Sequence, residues 1–194
     1  MMRFPKKEIR AVSPVKTLRG FSLVETLVAI TILLIAVLAP MRIVSQSIKA
    51  ATFAREQLVA VSIAQEGIEE MIRLRDDNAL EHENTPSVDP WDWYAALPSA
   101  CTNGTGCSYN AATDALVACT GGNCRVYLDE TGSSGYYYSH SSAGQASPFT
   151  RKVTMTETAS GSEVRIVSVV SWDSNSFGAN VNVTLDTSIL NQYE

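Results

Sequence analysis

The chain has 194 residues, 45% hydrophobic and 18% charged, with a formal net charge of −5. That length holds one ordinary domain plus an appendage, or two small domains, and the composition excludes a wholly disordered chain. Residues 1–20 carry six Lys/Arg against one Glu, a net +5, whereas residues 21–194 carry nine against nineteen Asp/Glu, a net −10.

A basic head on an acidic body reads as a targeting segment. Behind it runs LVAITILLIAVLA, residues 27–39, in which Thr31 is the one polar side chain. With residues 21–26 and 40–41 included, the stretch reaches twenty-one residues and contains a single carboxylate, Glu25. A spanning helix needs about 20 apolar residues, so residues 21–41 are long enough to cross a bilayer. The basic flank places the N-terminal end in the cytoplasm. A secretory signal would need small residues at a cut after the core, and the best candidate, Val37-Leu38-Ala39, is followed by Pro40. No Cys follows the core, which excludes a lipoprotein signal. A plain anchor explains the length but not Glu25, since a carboxylate at that depth costs about 2.5–3.5 kcal/mol. Such a residue needs a partner.

Arg19-Gly20-Phe21-Ser22-Leu23-Val24-Glu25, followed by the apolar run, resembles the type IV prepilin signature. The resemblance implies a cut by prepilin peptidase between Gly20 and Phe21, N-methylation of Phe21, and an assembly role for Glu25 at the fifth mature position. It also implies other pilin or pseudopilin subunits and an inner-membrane assembly platform as partners. The physics is consistent: cleavage creates a charged amine four residues from Glu25, and a buried carboxylate is tolerable when a neighbour's amine pairs with it. Pro40 departs from the pattern, falling slightly earlier than in many major pilins, and is expected to kink or locally melt the helix.

Beyond Arg42, Val44, Ile48, Ala51, Leu58, Val61, Ile68 and Met71 recur at helical spacing, predicting an amphipathic helix over residues 42–80 that packs on the body. Glu69 stands four residues before Arg73, a favourable order, while Gly67 weakens the helix by about 1 kcal/mol relative to Ala. Asp76-Asp77-Asn78 is the expected stop. Residues 81–100 contain Pro86, Pro90 and Pro98 and read as a connector anchored by Trp91, Trp93 and Tyr94.

Cys101, Cys107, Cys119 and Cys124 stand in CTNGTGC and CTGGNC. Zinc sites favour two to four intervening residues, whereas these gaps are five and four within Gly/Asn-rich turns. Outside the cytoplasm disulfides are the better reading. Of three possible pairings the two local ones are favoured, Cys101 with Cys107 and Cys119 with Cys124. Residues 129–148, rich in Gly, Ser and Tyr, read as a surface loop. His82 and His140 are the two histidines, far apart in sequence, and offer neither a metal site nor a general base. No catalytic spacing or cofactor motif occurs, so neither an enzyme nor a cofactor is expected.

The last quarter is the clearest β region. Residues 149–158, 163–172 and 179–187 are expected strands, with Val181, Val183 and Leu185 alternating against Asn180, Asn182 and Thr184. Short turns make antiparallel hairpins, Ile189 and Leu190 pack back on the helix, and Asp173 with Asn175 forms a polar turn that offers at most weak Ca²⁺ binding. Residues 81–194 hold four Lys/Arg against twelve Asp/Glu. Counterion release from phosphates needs clustered cations, so no nucleic acid is expected as a partner.

The expected fold class is α+β and pilin-like, a long N-terminal helix on an antiparallel sheet. It divides into a leader at 1–20, a membrane-spanning and assembly helix at 21–41, an amphipathic helix at 42–80, and an extracytoplasmic β-rich domain at 81–194. The expected function is a minor pilin or pseudopilin of a pilus or type II secretion-type filament, held in the inner membrane before assembly. The alternatives are an adhesin at a pilus tip that binds through loops 101–148, a simple single-pass anchor, and, more remotely, a tethered hydrolase.

Overall fold

The computed structural model describes residues 20–87, 89, 91–110, 113, 115–121, 124–131, 135–159, 161–174 and 179–191. Residues 1–19 of the leader and Asn175 lie outside these. One helix, α1 (Leu23–Asn84), opens the described chain, followed by the short turns α2 (Asp92–Ala95) and α3 (Ser99–Thr102). Seven strands follow: β1 (Cys107–Asn110), β2 (Ala115–Ala118), β3 (Arg125–Thr131), β4 (Gly135–Ser139), β5 (Gln145–Ala159), β6 (Glu163–Ser174) and β7 (Ala179–Leu190). The chain divides into two compact units, one ending at Gln46 and one beginning at Ser47.

In the first unit, α1 continues through Pro40 without melting. A proline removes one amide donor, yet the surrounding Leu, Ile, Val and Ala hold the helical backbone. The helix also passes the expected stop at Asp76-Asp77-Asn78 and ends at Asn84. Arg73 explains the extension, since it reaches Glu70 at 3.1 Å and Asp77 at 2.7 Å, tying the supposed stop into helical ion pairs.

In the second unit the described strands form one antiparallel sheet. Strand β5 is its spine. One edge pairs with β6 from Phe149↔Trp172 to Ala159↔Glu163, and β6 pairs in unbroken register with β7. The other edge is shared: β3 takes the early residues of β5, from Leu128↔Gln145 to Arg125↔Thr150, and β1 takes Val153. Strands β2 and β4 complete the sheet by pairing with β1 and β3. The expected strands of the last quarter are therefore present, each longer than the alternation indicated. The stretch at 129–148 corrects the surface-loop expectation. Tyr137 and Tyr138 pair with Asp129 and Leu128 across a hairpin, because aromatic residues suit a pleated ladder in spite of the flanking Gly and Ser.

The helix face turned to the sheet is corrected in part: Met71 is buried and Ile68 packs against its cluster, as expected. Val44, Ile48 and Leu58 are exposed, and the buried line is Ala60, Ile63, Ala64, Gly67 and Met71. Small residues prevail because they let the helix backbone approach the strands. Two apolar clusters result. One gathers Met71, Trp93, Val153, Met155, Ile166 and Ile189, with Cys101 and Cys107. The other gathers Ala60, Ile63, Ala64, Val126, Phe149, Val170 and Trp172. Trp93 is 5% exposed and stacks edge-on against Trp91 and Tyr94, so the connector is anchored by its aromatics as expected.

Candidate functional site

The N-terminal segment presents its chemistry openly. Gly20 and Phe21 precede the helix, and Glu25 lies in its first turn, where the helix dipole favours a negative charge. Every described side chain from 20 to 46 is exposed, Phe21 and Leu23 at 79%. Thr26 Oγ1 donates to Leu23 O at 2.9 Å and Thr31 Oγ1 to Val28 O at 2.8 Å, so both hydroxyls are satisfied within the helix. Between Leu23 and Met41, Glu25 is then the one polar side chain left to solvate. The helix is long and apolar enough to cross a membrane. An exposed apolar rod of this size demands lipid or protein around it.

Inside the second unit a polar layer separates the two apolar clusters. Arg151, on β5 between Phe149 and Val153, points inward and is 2% exposed. Its Nη1 donates to the Ile63 carbonyl at 3.2 Å and lies 3.4 Å from Glu66 Oε1; its Nε donates to Ser108 Oγ at 3.4 Å. Its Nη2 lies 3.4 Å from His140 Nδ1, and His140 Nε2 lies 2.7 Å from Ser108 Oγ. Burial depresses the Arg151 pKa, opposed by Glu66. Burial raises Glu66, outweighing the pull of Arg151. His140 is lowered to about 4, first by burial and then by the Arg151 charge.

With its pKa lowered to about 4 the His140 ring is neutral at pH 7, and its two nitrogens meet Ser108 and Arg151 in one buried hydrogen-bonded layer. Sequence reading missed this cluster, whose members stand far apart in the chain. One signal was available: Arg151 occupies the inward parity of a strand otherwise filled by Phe149, Val153 and Met155.

The cysteines form two disulfides, Cys101 with Cys107 and Cys119 with Cys124. The first is fully buried in the Met71 cluster. Among the described residues no group of three His, Cys, Asp or Glu side chains is placed to hold a metal.

Residues 16–39 match the family model of the prokaryotic N-terminal methylation motif. No curated protein and no solved structure matches the chain. With that motif heading an exposed apolar helix, and the same helix packed farther along on an antiparallel sheet, the chain bears the type IV prepilin signature.

Proposed function

We propose that the chain is a minor pilin or pseudopilin, a structural subunit of a type IV pilus or type II secretion-type filament. Prepilin peptidase cuts between Gly20 and Phe21 and methylates the Phe21 amine. Residues 21–41 hold the subunit in the inner membrane with its N-terminus cytoplasmic, and residues 42–80 carry the extracytoplasmic body at 81–194. An inner-membrane platform then moves it into the filament, where neighbouring pilin helices replace lipid around α1.

The observation that carries this reading is the exposed apolar surface of α1 within the matched motif, where Glu25 is the one charge. Lipid satisfies the apolar residues but not the carboxylate. A methylated amine on an adjacent subunit satisfies it, and the pairing sets the axial register. Burying both ions together avoids the cost of either alone. Mass spectrometry of the mature protein tests the processing step: the expected species begins at N-methylated Phe21. An intact N-terminus, or a cut after Ala39, overturns the proposal.

A further inference from the structure

Within the second unit, Ile48, Ala51, Arg55, Leu58 and Ser62 of α1 follow steps of 3, 4, 3 and 4, a seam along one helical face. All five are exposed, Ile48 at 62% and Leu58 at 73%. At about 100° per residue the seam lies opposite Ala60, Ala64 and Gly67, which seat the helix on the sheet, so the chain's own sheet cannot cover it. Arg55 is the seam's single charge and has no ion pair among the described residues.

Near the far end of the same helix a cleft of about 310 Å³ opens between α1 and the connector. Leu74, Trp93, Leu97 and Leu116 form its apolar wall, and Asp77 and Glu81 line its acidic side. Asp77 is held by Arg73 at 2.7 Å, whereas Glu81 has no ion pair among the described residues. An apolar wall beside one uncommitted carboxylate fits a cation flanked by aliphatic side chains. The seam offers that combination, with Arg55 one helical turn from Leu58 and two turns from Ile48. Arg55 and Glu81 are 26 positions apart on one helix, about 39 Å at a rise of about 1.5 Å per residue, so no chain fills its own cleft.

We infer that the cleft of one copy takes the seam of a second copy, Arg55 pairing with Glu81 and Leu58 resting on the Trp93 and Leu97 wall. The contact is heterologous. Each copy keeps one seam and one cleft free, so the series stays open, with copies offset by about 39 Å along α1. This rests on the filament-subunit reading and adds a lateral contact that is independent of Glu25.

The test is disulfide trapping of the full-length chain in membranes and in sheared filaments. Leu58→Cys and Ala96→Cys change two exposed positions, Ala96 lining the cleft. Together on one chain they should give a ladder of mass multiples on oxidation, and neither should do so alone. Arg55→Glu or Glu81→Lys should each lower the yield about tenfold or more, and the two together should restore it. Cross-linking through Leu58→Cys alone indicates a symmetric contact, and a product of another mass indicates a different occupant; either result overturns the inference. So does the absence of a ladder, or of restoration, in filaments that contain the chain, while the subunit reading then stands. Exclusion of the unaltered chain from every filament overturns both.

Discussion

Gly67 lies over the stem of Arg151: a Cβ on Gly67 would stand 3.0 Å from Arg151 Cδ and 2.9 Å from Ser168 Oγ. A mid-helix glycine is ordinarily a weakness, yet here it is what admits a buried guanidinium between helix and sheet. Gly67→Ala gains about 1 kcal/mol of helix propensity but overpacks a filled layer, which costs about 1–3 kcal/mol. The expected net effect is a loss of about 1 kcal/mol, read as a lower thermal midpoint of the detergent-solubilised chain. A midpoint at or above the parent's would show that the layer yields freely.

Arg151 serves as a hydrogen-bond hub more than as half of an ion pair, since Glu66 is 42% exposed at its side chain. Arg151→Ala strands the Ile63 carbonyl, Ser108 and His140 and should cost about 3 kcal/mol or more. Glu66→Gln should cost less than about 1 kcal/mol. Urea unfolding of both variants checks the order. Equal losses would make the ion pair the dominant contact.

His140 makes stability depend on pH. Its folded pKa of about 4 lies below the ordinary value of 6.5, so between those values the unfolded chain binds more protons. The neutral ring's contribution is complete above pH 6.5 and is lost as pH falls towards 4, up to about 3 kcal/mol. Glu66, raised by burial, works in the opposite sense, its contribution being present at low pH and lost as pH rises through its folded value. Arg151, facing both, stays charged throughout. Melting midpoints from pH 7 to 4 should fall, and His140→Gln should flatten that slope.

The two disulfides close loops of similar length, which the chain-entropy view values at about 2 kcal/mol each. They differ in burial. Replacing Cys101 and Cys107 with Ser places hydroxyls in the Met71 cluster at a further cost of about 1–3 kcal/mol each, whereas in the second pair only Cys124 is buried and Cys119 is partly exposed. Comparing the two double variants by denaturation should show the larger loss for the first pair.

Glu25 separates a filament subunit from a simple anchor. On an anchor its carboxylate is a liability of about 2.5–3.5 kcal/mol, so Glu25→Ala should insert better and function normally. In a filament its loss leaves an amine unpaired, and both Glu25→Ala and Glu25→Gln should be made and cleaved yet enter filaments poorly. Recovery in sheared filaments against total membrane content decides between these outcomes.

What is legible in the sequence is what is periodic or local. The alternation of Val181, Val183 and Leu185 marks β7, and the run from Gly20 to Ala39 marks the motif. The buried helix face is only partly legible from the large apolar residues: Met71 marks it, but the close seat also selects Ala60, Ala64 and Gly67. The strand at Tyr137 and Tyr138 is hidden by its Gly/Ser surroundings. Ser108, His140 and Arg151 have no shared signal, because only the pairing of β1 and β3 on one edge of β5 brings them together.

The shared edge of β5 also bears on the order in which the protein can form during its synthesis. The helix is made first, but its seat consists of β5 and β6, completed only when Ser174 has been added. The contact from Arg151 to the Ile63 carbonyl spans 88 positions, whereas β5 pairs with β6 and β6 with β7, each with its immediate successor. Neighbouring hairpins close sooner than distant contacts. The C-terminal meander is therefore expected to form as a platform on which the waiting helix docks last. A chain that stops before β5 leaves Ala60, Ala64 and Gly67 with nothing to lie against, and surveillance proteases should remove it first.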